Sequence, residues 1–168
     1  VVVRGHGLDL DDAATALLLE RRDDELFTSG AVRAADGVLV FVYKAAAEIG
    51  ELGDNTAVMR AAIAEDELLR AAIAAPTADA VVLAHTRLAS VGIISESNAN
   101  PQSSEEPGRD DVPFVTAVLN GDVDNFAYLI ASESLVVPPS ITTDAKVIPA
   151  VMAHRLAAGL DPVGAFRE

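Results

Sequence analysis

The chain has 168 residues, a formal net charge of −14 and no cysteine. The length suits one domain with a sizeable core, and the missing cysteine excludes disulfides and thiolate metal sites while suiting a reducing cytoplasm. The charge argues against nucleic acid or an anionic membrane surface as a partner, because phosphate neutralisation needs clustered Lys and Arg and the 12 present are scattered.

Val1-Val2-Val3 opens the chain as a strand and lacks the basic start and apolar core of a signal peptide. Every apolar run breaks well short of the length a membrane-spanning helix needs. Asp9, Asp11 and Asp12 precede a helical pattern over 13–22 that ends in Arg21 and Arg22, a charge order that suits the helix dipole. Residues 26–33 and 38–43 read as strands joined through Asp36-Gly37, a hairpin-type turn. A helical region is predicted near 45–51. Residues 57–64 and 68–74 follow as one helix or two, with Glu65-Asp66-Glu67 as a cap for the second piece.

Residues 81–84 and 114–119 are further strands. With 38–43 they are almost continuously apolar, the pattern of a strand covered on both faces. Residues 96–111 are polar, Ser-rich and contain Pro101, Pro107 and Gly108; a loop of that length is more often functional or mobile than idle. Asp144 opens a helix predicted to reach about Ala158, with Pro149 in its early turns. Gly159 is the stop, and Asp161-Pro162 starts another helix. The expectation is an α+β fold with a buried sheet, in a single domain over 1–168 that is incomplete at both ends.

Three places could carry chemistry. Arg87 lies just past the apolar run 80–84, at a predicted strand end. Its guanidinium could meet a carboxylate in a two-pronged geometry, or it is simply an exposed Arg. The Asn120 amide and the Gly121 N–H could both donate to one oxygen, with Gly letting the backbone come close. Alone, Asn-Gly is equally the commonest hairpin turn. Asp144 is a helix N-cap supported by Thr142 and Thr143, an anchor for an ammonium group, or both. His6, His85 and His154 are far apart in sequence, and capping and solvation account for the acids near His6, so no metal is expected. No phosphate-binding Gly loop or catalytic Ser motif is present.

In this order and at these separations, Ala84-His85-Thr86-Arg87, Asn120-Gly121-Asp122-Val123-Asp124-Asn125 and Thr143-Asp144-Ala145-Lys146-Val147-Ile148 resemble the class II glutamine amidotransferases. These carry the glutaminase domain of glucosamine-6-phosphate synthase and glutamate synthase. The strong part of the resemblance spans about 81–167, and 26–43 suits the hairpin that precedes it. The resemblance implies that Arg87 holds the substrate α-carboxylate, with Ser90 at the family's hydroxyl position three residues on. It implies Asp144 for the α-ammonium and Asn120 with Gly121 for the oxyanion hole, with no cofactor. Asn98-Ala99-Asn100-Pro101 resembles the family's Asn-Ala-His-Pro and reads as a structural turn. Asn100 replaces the His, and Leu88 and Val91 stand where glucosamine-6-phosphate synthases usually carry an aromatic residue and a His, which departs from that subgroup.

The implied fold is the αββα sandwich of the N-terminal nucleophile hydrolases. The implied partners are L-glutamine and an acceptor domain, a synthase or isomerase, in a longer cytoplasmic protein. The family's nucleophile is an N-terminal Cys, and Val1 has no nucleophilic side chain. The nucleophile is therefore expected outside this sequence, and the isolated chain is expected to be inactive. An alternative is a non-catalytic glutamine-sensing module. A third reading, an acidic α/β interaction domain, expects Arg87, Asn120 and Asp144 far apart.

Overall fold

The computed structural model describes residues 1–23, 27–46, 52–86, 93–109 and 112–167. The fold class is α+β, and the chain divides into two compact units, Val1–Leu83 and Ala84–Glu168.

The first unit is built on an antiparallel sheet of β1 (Val2–Arg4), β2 (Val32–Ala35), β3 (Val38–Phe41) and β4 (Asp79–Val81), in the order β2-β3-β1-β4. Alternation along β3 sends Leu39 and Phe41 to one face and Val40 to the other. Leu39 and Phe41 join Val3 and Val32 against Leu68, Leu69 and Ala72. Val40 joins Ala31 and Val42. Both faces of this strand are buried, as its continuous apolar run predicts. Each fully buried side chain of this size contributes about 1.5–3 kcal/mol. The β2–β3 turn is Asp36-Gly37, with φ of 51° and 73°, the twist that a two-residue hairpin needs.

Helix α1 (Ala13–Glu20) starts where the acids predict, since the Asp12 carboxylate accepts the Ala14 and Thr15 amides. Residues 57–64 and 68–74 belong to two helices, α2 (Leu52–Glu65) and α3 (Glu67–Ile73). Asp66 separates them by capping α3, its Oδ1 accepting Leu69 N at 2.9 Å.

Several expectations for this unit need correction. The strand expected over 26–33 is β2, at Val32–Ala35. Residues 27–30 turn instead, with Gly30 at φ 90° and its amide donating to Val42 O at 2.9 Å. Residues 45–46 are not helical, and the rest of the helix expected over 45–51 lies outside the described residues. The strand expected over 81–84 is β4, at the sheet edge, and it is not covered on both faces: Val81 and Val82 are 61% and 66% exposed. Gly5, which follows β1, has φ 59°, and a Cβ there would stand 2.4 Å from Thr77 O. Only Gly lets the two segments approach this closely.

The second unit pairs β5 (Gln102–Ser103) with β6 (Thr116–Ala117), and adds α4 (Phe126–Ser132), a 3-10 turn at Asp144–Lys146, α5 (Val147–Ala157) and α6 (Pro162–Arg167). Its apolar core is formed by Leu135, Val147, Ala150 and Val151, with Phe126, Leu129 and Ile130 of α4 packed against it. Pro149 sits in the first turn of α5, where a missing N–H costs nothing. Gly159, at φ 94°, follows the Ala158 C-cap. Asp161 Oδ1 accepts the amides of Val163 and Gly164 at 2.9 Å and starts α6. These ends match the sequence reading. The strand expected over 114–119 is reduced to the two half-buried residues of β6, because only those pair with β5.

The polar stretch 96–109 is not an idle solvated loop. Asn98, Gln102, Ser103, Ser104 and Glu106 are all buried. Gln102 Nε2 donates to Ser97 O and Ala99 O, and Ser104 Oγ accepts Val115 N at 2.9 Å. Lys146 Nζ reaches the carbonyls of Ser103 and Glu105 at 2.6 and 2.5 Å. The side chains are polar because they hydrogen-bond an irregular backbone that is shielded from water.

Candidate functional site

The residues that carry the sequence resemblance belong to the second unit. Asp144 is the first residue of the 3-10 turn that leads into α5. It is not the cap: Thr143 is, with Oγ1 accepting Ala145 N at 3.4 Å. The Asp144 carboxylate is buried, and its Oδ2 accepts Val123 N at 2.6 Å. Its Oδ1 faces the Thr143 hydroxyl at 3.4 Å.

Val123 lies two residues past Gly121, so this bond ties the segment 120–125 to the start of α5. Asn120-Gly121 does not make a hairpin turn. The strand before it, β6, pairs back to β5, and the segment after it enters α4. Both residues are exposed. Gly121 does not have a left-handed backbone, and a Cβ there would meet only Leu119 Cδ1 at 3.7 Å. Among the described residues, neither conformation nor packing requires Gly at this position. Arg87 and Ser90 lie outside the described residues.

Asn98 is 3% exposed and holds this region from the other side. Its Oδ1 accepts Thr142 N at 2.7 Å and Thr143 N at 3.1 Å. Its Nδ2 donates to Thr142 Oγ1 at 3.0 Å and to Ile93 O at 2.9 Å. Two donors and two acceptor positions are all an amide side chain has, and every one is used. Asn100 Oδ1 accepts Leu119 N at 3.4 Å, one residue before Asn120. The sequence reading made Asn98-Ala99-Asn100-Pro101 a structural turn; its two amides are also tethers to the segments bearing Asp144 and Asn120. The residue types were the available signal, since a run of amides beside Pro favours side-chain contacts to backbone.

No protein-family model, curated protein or solved structure matches this chain.

Among the described residues, no group of three or more His, Cys, Asp or Glu could hold a metal ion, and no helix is long and apolar enough to cross a membrane. His154 is engaged elsewhere in the second unit. Its Nε2 lies 2.5 Å from Glu106 Oε1 and 2.6 Å from Arg109 Nη1. Glu106 Oε2 accepts Val136 N at 2.6 Å.

The first unit has an open groove of about 610 Å³ that no candidate residue lines. Arg22, Asp66 and Tyr43 form part of its wall. Arg22 Nη1 is 2.7 Å from Asp66 Oδ2, and Tyr43 Oη donates to the same oxygen at 2.5 Å. Burial pushes the Asp66 carboxyl up. The Tyr43 hydroxyl, the Leu69 amide and the Arg22 guanidinium outweigh this and hold it below the ordinary value. Burial and the adjacent carboxylate raise Tyr43 well above the ordinary tyrosine range. Arg22 Nε also donates to Gly30 O at 2.7 Å, and Asp66 Oδ1 accepts Leu69 N, so the cluster is tied to its own unit by several bonds, which marks it as structural.

Proposed function

We propose that this chain is the glutamine-binding part of a class II amidotransferase glutaminase, with the αββα arrangement of the N-terminal nucleophile hydrolases. In this reading it supplies ammonia to an acceptor domain of a larger cytoplasmic protein. The observation that carries the reading is the bond from Val123 N to Asp144 Oδ2. It joins two sequence-distant segments assigned to one ligand, one for the α-ammonium and one for the oxyanion.

The chemistry divides among named groups. Arg87 takes the α-carboxylate as a charge-assisted fork, with the Ser90 hydroxyl beside it. Asp144 supplies the negative charge for the α-ammonium. The Asn120 amide and the Gly121 N–H are donors to the carbonyl oxygen that gains charge when the side-chain amide is attacked. The attacking thiolate is not among these 168 residues. That same fact favours a second reading, a module that holds glutamine without hydrolysing it.

The test is calorimetric titration of the 168-residue chain with L-glutamine, with D-glutamine and L-glutamate as controls. Saturable, stereoselective binding is expected. Arg87→Ala should weaken it by roughly 2–5 kcal/mol, the cost of truncating one partner of a desolvated charge pair. Arg87→Lys should rescue poorly, because Lys lacks the fork. Absence of saturable binding to the folded chain sinks the reading.

A further inference from the structure

We propose that His154 is a proton-operated selector between two neighbours: its neutral ring holds Arg109 through Nε2, and its protonated ring commits that nitrogen to Glu106 and releases Arg109 to solvent. All three residues belong to the second unit, and none is assigned to glutamine.

The turn that carries both neighbours is fixed by its sequence. Glu106-Pro107-Gly108-Arg109 closes with Arg109 N donating to Glu106 O at 3.1 Å. Pro107 and Gly108, the latter at φ 76°, suit the two central places of a type II turn. The turn presents an anion and a cation to His154 in the last turn of α5. Glu106 is the immobile member: its side chain is fully shielded, and its Oε2 accepts Val136 N at 2.6 Å. Arg109 is the member with room to move, since 39% of its side chain is exposed.

One ring nitrogen cannot serve both. Nε2 lies 2.5 Å from Glu106 Oε1 and 2.6 Å from Arg109 Nη1, while those two atoms are 3.9 Å apart. The neighbours therefore stand at a wide angle about Nε2. An imidazole nitrogen has one in-plane direction for bonding, filled by either an N–H or a lone pair. A guanidinium only donates, so Arg109 needs the lone pair; an ionised carboxylate only accepts, so Glu106 needs the N–H. In the imidazolium both ring nitrogens carry protons, and Nε2 can only donate to Glu106. In the neutral ring, an N–H toward Glu106 would leave an Arg109 N–H aimed at a nitrogen with no lone pair. With the proton on Nδ1 instead, the Nε2 lone pair satisfies Arg109. Glu106 then keeps the Val136 amide and the guanidinium charge 3.9 Å away.

The other charges on the elements packed against α5 have tasks of their own. Arg155 lies 4.0 Å from Glu133, the C-cap of α4. Lys146 Nζ sits on the carbonyls of Ser103 and Glu105, and Glu105 Oε2 accepts the Ser103 hydroxyl at 3.2 Å. Asp144 accepts Val123 N, Asp161 starts α6, and Arg167 at the end of α6 is exposed.

The experiment follows the ring and guanidinium nitrogens of the isotope-labelled 168-residue chain by NMR over about pH 5 to 8, the interval in which imidazoles change charge. At the upper end, His154 Nε2 should show the shift of an unprotonated nitrogen, and the Arg109 N–H groups should exchange slowly with water. On acidification Nε2 should take the protonated shift. Arg109 exchange, corrected for its intrinsic pH dependence, should quicken about tenfold or more with the same midpoint, the factor that losing one charge-assisted hydrogen bond implies. The Val136 amide should stay protected throughout, because Glu106 does not move. Arg109→Met keeps an apolar stem at a half-exposed position and removes the donors, so its neutral ring should carry the proton on Nε2. An Nε2 that keeps one protonation state across the range overturns the proposal, as does Arg109 exchange that ignores the ring. A Val136 amide that loses protection with the ring, or an Arg109→Met ring with the wild-type tautomer, overturns it equally.

Discussion

The Asp144 carboxylate holds the backbone amide of Val123 at 2.6 Å, although 21 residues separate them in the chain. This contact gives Asp144 a structural task that is separable from its charge. A neutral amide oxygen accepts from an N–H almost as readily as a carboxylate does, but it does not attract an ammonium group.

Asp144→Asn should therefore keep the tether and lose the ligand. Its thermal midpoint is expected within a few degrees of wild type, since the Val123 amide keeps an acceptor. Affinity for L-glutamine should fall by roughly 2–5 kcal/mol, as for other truncated charge pairs. Asp144→Ala should lose both, with an added stability cost of about 1–3 kcal/mol for the unsatisfied amide. Scanning calorimetry and glutamine titration on the two variants separate the effects. If Asp144→Asn binds glutamine as wild type does, the carboxylate is only a tether.

The local signals were legible because they depend on near neighbours. Asp12, Asp36-Gly37, Gly159 and Asp161-Pro162 all act within a few residues of themselves, and each appears where the sequence puts it. Pairing is not local. The runs 38–43 and 81–84 look alike in sequence, yet β3 is interior to its sheet and β4 is an edge. Helix α4 was not predicted: it has no side-chain cap, no acid in its first turn and no base in its last. In 96–109, composition does not separate polar side chains that face water from polar side chains that satisfy a buried backbone. Of the candidate site, the place of Asp144 at a helix start was readable, whereas the bond to Val123 and the four-way use of Asn98 were not. Arg87 and Ser90 lie outside the described residues.

Glu106 tests whether the 96–109 stretch acts as a structural element. Both its oxygens are used, on Val136 N and on the His154 ring, and its side chain is fully shielded. Glu106→Ala removes the acceptor of the Val136 amide and takes the carboxylate from beside His154 and Arg109. A loss of about 1–3 kcal/mol is expected, the cost of leaving a shielded hydrogen-bonding group without its partner. Glu106→Gln keeps an acceptor for Val136 and should lose less. Urea unfolding of both variants reads this directly, and equal, small losses would show that the stretch is not held by Glu106.

The Arg22–Asp66–Tyr43 cluster should give the first unit a defined pH window. Asp66 is held below its ordinary value of 3.8, so its contribution is present above that pH and is lost as pH falls through the lower, folded value. Tyr43 is raised above its ordinary 10.0, so its contribution is present below that pH and is lost as pH rises beyond it. Asp66→Asn should destabilise the protein at neutral pH, with a deficit that shrinks on acidification as the wild type loses the same charge. Urea midpoints between about pH 2 and 7 check this, the lower limit being set well under the ordinary carboxylate range. A deficit that stays constant over this range removes the charge from the account.

The chain itself should not turn glutamine over. Forming a glutamyl thioester needs a thiolate, and no cysteine is present among the 168 residues. Asn120 and Gly121 stabilise charge only after a nucleophile has attacked, so without one they contribute nothing to rate. Purified chain incubated with L-glutamine should release no ammonia above the uncatalysed background, as followed by a coupled glutamate dehydrogenase assay, even at concentrations where binding is saturated. Arg87→Ala, prepared identically, controls for contaminating glutaminase. Residual activity shared by both proteins is contamination. Ammonia release that is robust in wild type and abolished in Arg87→Ala would mean that this chain carries its own nucleophile, and the assignment to a thiol-dependent reaction would be wrong.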